Sequence, residues 1–249
     1  MGETVPAAKC THVPTMRMSE QPGRLSGMRQ AAIDGHREIS RRAKELGADT
    51  IVILDTHWMM NAGCHINANH RFRGVLTLCH QLDSLQLEYG TLAPIRFMSR
   101  ERGFKVVSDA AWCNTHGFET SRMIGKAIRE AIKESDNKVL LVASGSLSHQ
   151  MWSNDEYEAN NGTFTIFSEF NPQMDLHVLD MWKRGDIATF NIMLPEYAEQ
   201  CSGEEAMHDT AMLLGALGWD HDNGKAEVVT DYFPSSGTGQ VDVIFPVLS

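Results

Sequence analysis

Cysteines are too few and too scattered to hold this chain together. Cys10, Cys64, Cys79, Cys113 and Cys201 are odd in number and never spaced C-x-x-C, which excludes a disulfide framework and a zinc knuckle. They are expected as reduced thiols, with Cys10 and Cys113 filling core positions on strands. Long apolar runs are missing too. Nothing approaches the roughly 18 residues that span a bilayer, and Met1 to Lys9 lacks the basic start and apolar centre of a signal peptide. Gly2 does not open a myristoylation motif, because Pro6 stands where that motif needs Ser or Thr. Basic excess is absent: 22 Lys and Arg against 32 Asp and Glu leave a net charge of −10, which repels nucleic acid and anionic membrane alike. What remains is a cytoplasmic protein acting on a small diffusible substrate. No Pro/Gly/Ser-rich linker, internal repeat or low-complexity segment divides the 249 residues, so one domain over 1–249 is expected.

What is present alternates between strand and helix signals. Ile51-Val52-Ile53-Leu54 is an aliphatic run that reads as a strand buried on both faces, and it empties into Asp55-Thr56-His57-Trp58. Before it, Ala32, His36, Ile39, Ala43 and Leu46 recur at helical spacing with Gly47 as the stop, and a short first strand, Ala7 to Val13, ends at Pro14. Downstream come a strand over Phe104 to Cys113, a helix over Thr120 to Ser135 and a buried strand over Lys138 to Ala143. A stripe over Phe167, Phe170, Met174, His177, Val178 and Met181 predicts a helix, with Pro172 starting or kinking it, and puts His177 in the core along with His36. A short helix is expected over Asp186 to Leu194. Ser202 to Leu217 reads as a helix whose Ser202 N-cap and Glu205 form a capping box. Two closing strands, Ala226 to Phe233 and Val241 to Val247, flank a turn over Pro234 to Gly239. Leu87 to Pro94 looks turn-rich. Ala62 to Gln86, with His65, His70, Arg71, Arg73 and His80, shows no period and is expected as loop or rim; His221 is expected in a solvated loop. The order predicts an α/β fold: a mostly parallel or mixed central sheet flanked by helices.

Three histidines occupy equivalent places. His12, His57 and His149 each end or closely follow an apolar strand, and in a parallel sheet those ends share the carboxyl edge where such folds place their chemistry. Any one alone is better read as a hydrogen-bonded structural residue. Together they offer imidazoles for an open-sided metal of the two-histidine, one-carboxylate kind. The carboxylate falls to Glu204 or Glu205, and because the capping box occupies Glu205, Glu204 is left free. Both also have a plainer reading as charges opposing a helix dipole. His208, at i+4 from Glu204, and His116, after a strand, are placed as substrate contacts, with capping of the next helix as the plain role of His116. Arg71, Arg73 and Arg96 are possible partners for a substrate carboxylate, with no ground for choosing among them.

Thr11-His12-Val13-Pro14, Asp55-Thr56-His57-Trp58, Ala143-Ser144-Gly145-Ser146-Leu147-Ser148-His149, Leu194-Pro195-Glu196-Tyr197-Ala198, Gly203-Glu204 with Met207-His208-Asp209-Thr210, and Phe233 to Val241 together resemble the class III, LigB-type extradiol ring-cleaving dioxygenases, most of all their homoprotocatechuate-type members. The likeness runs over nearly the whole chain. It implies a LigB-like fold, Fe(II) as cofactor, a catechol such as 3,4-dihydroxyphenylacetate and O2 as partners, and a homo-oligomer. Carried over by position, the metal ligands are His12, His57 and Glu204, and the acid–base residue is His149, a histidine being the side chain that changes charge near neutrality. Tyr89 stands where distant members carry a second histidine, so it is placed with the catalytic groups as a hydrogen-bond partner of substrate or oxygen. Ser146 is placed at the substrate. Asp55 and Thr56 are expected to support His57, and Trp58 to act as wall or packing. Between Gly74 and Leu85 the chain is shorter than the family pattern. Two other classes compete: a zinc hydrolase using the same ligands, and a non-catalytic relative, which ought to have lost ligands that this chain keeps.

Overall fold

In a computed structural model of the chain, residues 1–60, 66–67, 87–99, 103–113, 116–218 and 224–247 are described. The strands are β1 (Glu3–Cys10), β2 (Thr50–Met60), β3 (Ile66–Asn67), β4 (Lys105–Cys113), β5 (Lys138–Ser144), β6 (Glu227–Val228), β7 (Phe233–Ser235), β8 (Thr238–Gln240) and β9 (Val243–Phe245). The helices are α1 (Pro14–Ser19), α2 (Gln30–Glu45), α3 (Tyr89–Met98), α4 (Phe118–Glu134), α5 (Asn154–Tyr157), α6 (Phe170–Arg184), α7 (Ile187–Gln200) and α8 (His208–Leu217).

Seven strands form one mixed sheet in the order β3-β4-β2-β5-β1-β9-β6, and β7 and β8 make a separate hairpin. The four long strands in the middle, β4, β2, β5 and β1, run parallel. The short strands at the edges, β3, β9 and β6, run antiparallel to their neighbours. Alternation along the aliphatic runs explains why both faces are covered. Ile51, Ile53, Leu140 and Val142 turn toward Ile39 and Ala43 of α2 and Met98 of α3, whereas Val52, Leu54, Leu141 and Ala143 turn toward the layer that contains α6, α7 and α8.

Register then decides where the chemistry sits. Ser144 at the end of β5 pairs with Cys10 of β1 on one side and with Asp55 of β2 on the other, so the carboxyl ends of β1 and β5 lie level with Asp55. His12, His57 and the loop of residues 145–149 leave the sheet along that one edge.

Several expectations change. β2 runs on past Asp55 to Met60 through a register irregularity against β4, of the kind that re-aims a side chain, and His57 lies within it. Leu87 to Pro94 is mostly helix α3, with Pro94 inside. α7 continues through Pro195 to Gln200, because Tyr197 and Ala198 bury beyond it. On α6, Pro172 falls in the first turn; the buried face carries Asn171, Asp175, Val178 and Trp182, and His177 is exposed. The closing strands are shorter than expected. Cys10 is buried on β1 as expected. No helix of the described residues is long and apolar enough to cross a membrane. The reading of 62–86 as loop or rim, and of His221, falls mainly outside the described residues.

Candidate active site

The sharpest correction concerns the segment before α8. Ser202 to Leu217 is not one capped helix: α8 begins at His208, and Glu204–Met207 form a tight 3-10 turn. Ser202, Glu205, Ala206 and Met207 all have positive φ, a conformation that L-residues adopt only when their surroundings insist. No side-chain cap is present at Ser202. The insistence comes from Glu204, which is 2% exposed. Its backbone N–H donates to Leu147 O at 3.2 Å, and Ser146 donates to its Oε2 through both the backbone N–H and, at 2.5 Å, the hydroxyl. With Oε2 so engaged, Oε1 is the oxygen that faces His12 and His57.

His12 Nε2 lies 3.1 Å and His57 Nε2 3.5 Å from Glu204 Oε1, and the two nitrogens are 3.0 Å apart. Donor atoms about 2.1 Å from one ion stand roughly 3.0 to 3.5 Å apart, so the three atoms are close enough together to share one ion. The protonation of His12 fits as well. Pro94 lacks an N–H, so the helical carbonyl four residues earlier, Gly90 O, has no partner within α3. Ser144 Oγ donates to that carbonyl at 2.5 Å, which spends its hydrogen, and His12 Nδ1, 3.0 Å from the same oxygen, must then be the donor. With Nδ1 committed as a donor, Nε2 is the nitrogen His12 turns toward the triangle, where it can serve as a metal ligand. The residues present fit a divalent metal.

Of the two residues expected to support His57, Asp55 contacts it directly, whereas Thr56 reaches Ser144 and Glu204. Asp55 Oδ1 accepts from the His57 N–H at 2.8 Å, and Thr91 donates to Oδ2 at 2.5 Å. Gly90 is required beside them, because a Cβ there would come within 2.3 Å of Asp55 Oδ1. Thr56 Oγ1 donates to Ser144 O at 2.8 Å and lies 3.4 Å from Glu204 Oε1. Burial alone would lift the Glu204 carboxyl, but the charges of His12 and His149 and hydrogen bonds from His12 and His57 hold it well below the usual range. For His57 burial favours the neutral ring, and the Glu204 and Asp55 carboxylates outweigh it and raise its pKa. Burial lifts Asp55 despite its hydrogen bonds.

A cavity of about 270 Å³ opens on this triangle. His149 stands on its wall with Nε2 3.7 Å from Glu204 Oε1. Tyr89 packs edge-on against the rings of His12 and His57, and its hydroxyl donates to His12 O. Burial and the Glu204 charge raise the Tyr89 hydroxyl, so it serves as a donor and not as a base. Ser146 also lines the cavity.

A family profile described as the catalytic LigB subunit of aromatic ring-opening dioxygenases matches residues 6–82 and 74–246. The chain belongs to the LigB family. A 3,4-dihydroxyphenylacetate 2,3-dioxygenase of Escherichia coli is 43% identical over 261 aligned residues, covering 90% of this chain and 94% of the relative. The beta subunit of a Pseudomonas 2-aminophenol 1,6-dioxygenase is 21% identical, over 88% of this chain and 85% of its own. The crystal structure of an uncharacterized Escherichia coli K12 protein superposes with a TM-score of 0.56 at 13% identity, covering 96% of this chain and 99% of that one, and so shares the fold. With these relatives the LigB-family chain is an extradiol ring-cleaving dioxygenase. An alignment of 261 positions over nine-tenths of 249 residues leaves stretches of the relative without a counterpart here. The two profile matches meet at 74–82, within the Gly74 to Leu85 stretch where the motif order predicts missing residues.

The structure places the remaining site candidates elsewhere. His116 and His208 meet on Ser121, whose Oγ lies 3.0 Å from His116 Nε2 and 2.8 Å from His208 Nδ1, and neither ring is on the wall of this cavity. Burial and the neighbouring His116 bring His208 down to about 4, and burial lowers His116, so both rings are neutral at pH 7. Arg96 pairs at the surface with Glu20 at 2.5 Å. Trp58 does not line the cavity. Among the small residues after β5, Ser148 does more than admit close approach: its N–H and hydroxyl both donate to Asp175, at 3.2 and 2.7 Å, and Tyr197 and Tyr232 donate to the same carboxylate at 2.6 and 2.5 Å. That network anchors the loop carrying Ser146 and His149. Sequence reasoning missed Asp175, and the signal was there as an acid inside the apolar pattern of α6.

Proposed function

We propose that the protein is an iron(II)-dependent dioxygenase that opens 3,4-dihydroxyphenylacetate between ring carbons 2 and 3, inserting both atoms of O2 to give a muconic semialdehyde. The observation that carries this reading is the triangle of His12 Nε2, His57 Nε2 and Glu204 Oε1 with His149 beside it. His12, His57 and Glu204 would hold a metal at the wall of the cavity, where a small aromatic substrate could reach it. The 3,4-dihydroxyphenylacetate 2,3-dioxygenase relative supports the substrate.

Iron(II), when bound, supplies a path for electron density between catechol and O2. The chain does the rest. His12, His57 and Glu204 hold the ion, and Ser146, Thr56, Ser144 and Asp55 hold those three in place. His149 would take the proton of the second catechol hydroxyl and give a proton back later in the reaction, serving as base and then acid. Tyr89 closes the wall against the two imidazoles and keeps water from that side. Assembly as a homo-oligomer belongs to the same reading, and sedimentation of the purified protein checks it.

Anaerobic iron(II) reconstitution, followed by oxygen uptake with 3,4-dihydroxyphenylacetate, protocatechuate and 2-aminophenol, tests the proposal. Stoichiometric uptake with a coloured ring-opened product from the first compound is expected. His57→Ala is expected to lose bound iron, and His149→Ala to keep iron and lose turnover. Full iron content in His57→Ala refutes the ligand assignment, and preference for 2-aminophenol refutes the substrate.

A further inference from the structure

Arg29 is 7% exposed and, among the described residues, has no carboxylate near it. Lys9, fully buried, is by contrast paired with Asp209 at 2.8 Å. Arg29 is instead held by neutral groups: Nε donates to Thr15 Oγ1 at 3.0 Å, Nη2 donates to Thr163 O at 3.1 Å, and the guanidinium lies 4.8 Å over the Phe233 ring. A buried cation without a counter-charge is costly, and burial accordingly pulls this guanidinium below its ordinary range. In a chain of net charge −10 an acid for it was easily available.

What Arg29 does have is a hydroxyl wall between it and the cavity. A guanidinium only donates, so Thr15 Oγ1 accepts from it, and the positive charge makes the Thr15 hydroxyl the better donor in its 3.2 Å hydrogen bond with Ser235 Oγ. Ser235 lines the cavity, and with Thr15 donating to it the Ser235 hydrogen can turn inward. A second branch runs parallel to the first. Thr163, whose carbonyl accepts from Arg29, has its Oγ1 3.2 Å from the Tyr157 hydroxyl, which is itself 3.2 Å from Ser236 Oγ. Tyr157 and Ser236 also line the cavity. The only acid among the described lining residues is Glu204, at the metal triangle. The cavity lining therefore carries, besides the three candidate metal ligands, hydroxyls backed by a buried positive charge.

We infer that Arg29 is a specificity-determining positioning residue: acting through Thr15 and Ser235, it makes the cavity select catechols bearing an anionic substituent, the missing counter-charge arriving with the substrate. This rests on the catechol dioxygenase reading above. It adds that the carboxylate is recognised by polarised hydroxyls and not by direct pairing with a surface arginine.

The test compares kcat/KM for 3,4-dihydroxyphenylacetate with that for 4-ethylcatechol, of similar size and uncharged, on the iron-loaded enzyme and its Arg29→Met, Arg29→Lys and Thr15→Val variants. Loss of a hydrogen bond to a charged group predicts that the ratio of the two constants falls about tenfold or more in Arg29→Met and Thr15→Val, mainly through KM of the acid. Arg29→Lys should retain part of the preference. A ratio that stays at the wild-type value in Thr15→Val, which leaves the guanidinium in place but cuts the relay, overturns the inference even if Arg29→Met fails to fold. A wild-type enzyme that opens both catechols with equal kcat/KM overturns this inference alone, and one that opens neither overturns the dioxygenase reading beneath it.

Discussion

Replacing Ala206 by Gly should stabilise this protein, although the same change in an ordinary helix does the opposite. Ala206 has φ 50 and ψ 28, in the middle of three consecutive left-handed residues, and its side chain is exposed. An L-residue in that conformation carries roughly 1–2 kcal/mol that glycine does not, and glycine gives back about 0.4–1 kcal/mol through the freer unfolded chain. No buried methyl is lost, so the net gain is about 0.5–1 kcal/mol, or some 1–4 °C in Tm for a chain of this length. Thermal and urea melts of the metal-free protein in chelator measure it without interference from ligation. Ala131→Gly, at an exposed position inside α4, is the control and should cost about 1 kcal/mol. If both variants lose stability alike, the turn that presents Glu204 is not left-handed and the account of how that carboxylate is aimed fails.

Three other outcomes follow from the same network. Ser146→Ala removes one of the two donors to Glu204 Oε2 and should weaken metal affinity about 10–100-fold while leaving the fold intact, as read by chelator competition. Glu205 carries a carboxyl pushed up to about 9, by burial first and then by the charges of Glu204, Asp209 and Asp55, and its Oε2 is buried without a partner. Between about pH 4.5, where the unfolded chain ionises, and pH 9, the fold holds a proton that the unfolded chain has released, so stability drains as pH rises; Glu205→Gln should be the more stable protein at pH 7–8 in the metal-free state, with the advantage vanishing below pH 4.5. An advantage independent of pH points to packing instead. Lys9→Met strands the Asp209 charge at full burial and should cost about 3–5 kcal/mol, most of it regained in Lys9→Met with Asp209→Leu; a single variant within about 1 kcal/mol of wild type in urea rules that out.

The parallel strands were legible because a strand buried on both faces must be aliphatic throughout, and the polar residues that follow Leu54 and Ala143 mark where each strand meets the edge. From there the closeness of His12, His57 and His149 needed only the parallel order. What sequence concealed was structure decided by partners far along the chain. Pro94 and Gly90 look like turn residues until Ser144 is seen to take the carbonyl that the proline frees. Ser202 and Glu205 match a capping box, but the demands of burying Glu204 against Ser146 and His12 win over local preference. His177 fell on the apparent apolar stripe of α6 because the true buried face contains Asp175, an acid that three hydroxyls and an amide make acceptable inside. The pairing of His116 with His208 through Ser121 likewise leaves no periodic trace.

The triangle of donors joins residues that the ribosome makes far apart in time. His12 and His57 are 45 positions apart, and His57 and Glu204 are 147. Contacts of such sequence separation form late in folding, and no partly built sheet offers the ion more than a fragment of the site. Metal binding is therefore an act of the finished molecule, and the free energy it contributes favours the native state alone. Bound metal per chain then becomes a count of properly folded protein: an expression host short of that metal would make the protein more perishable as well as inactive, and supplying the metal after purification would restore activity only to the fraction whose four central strands had already closed in register.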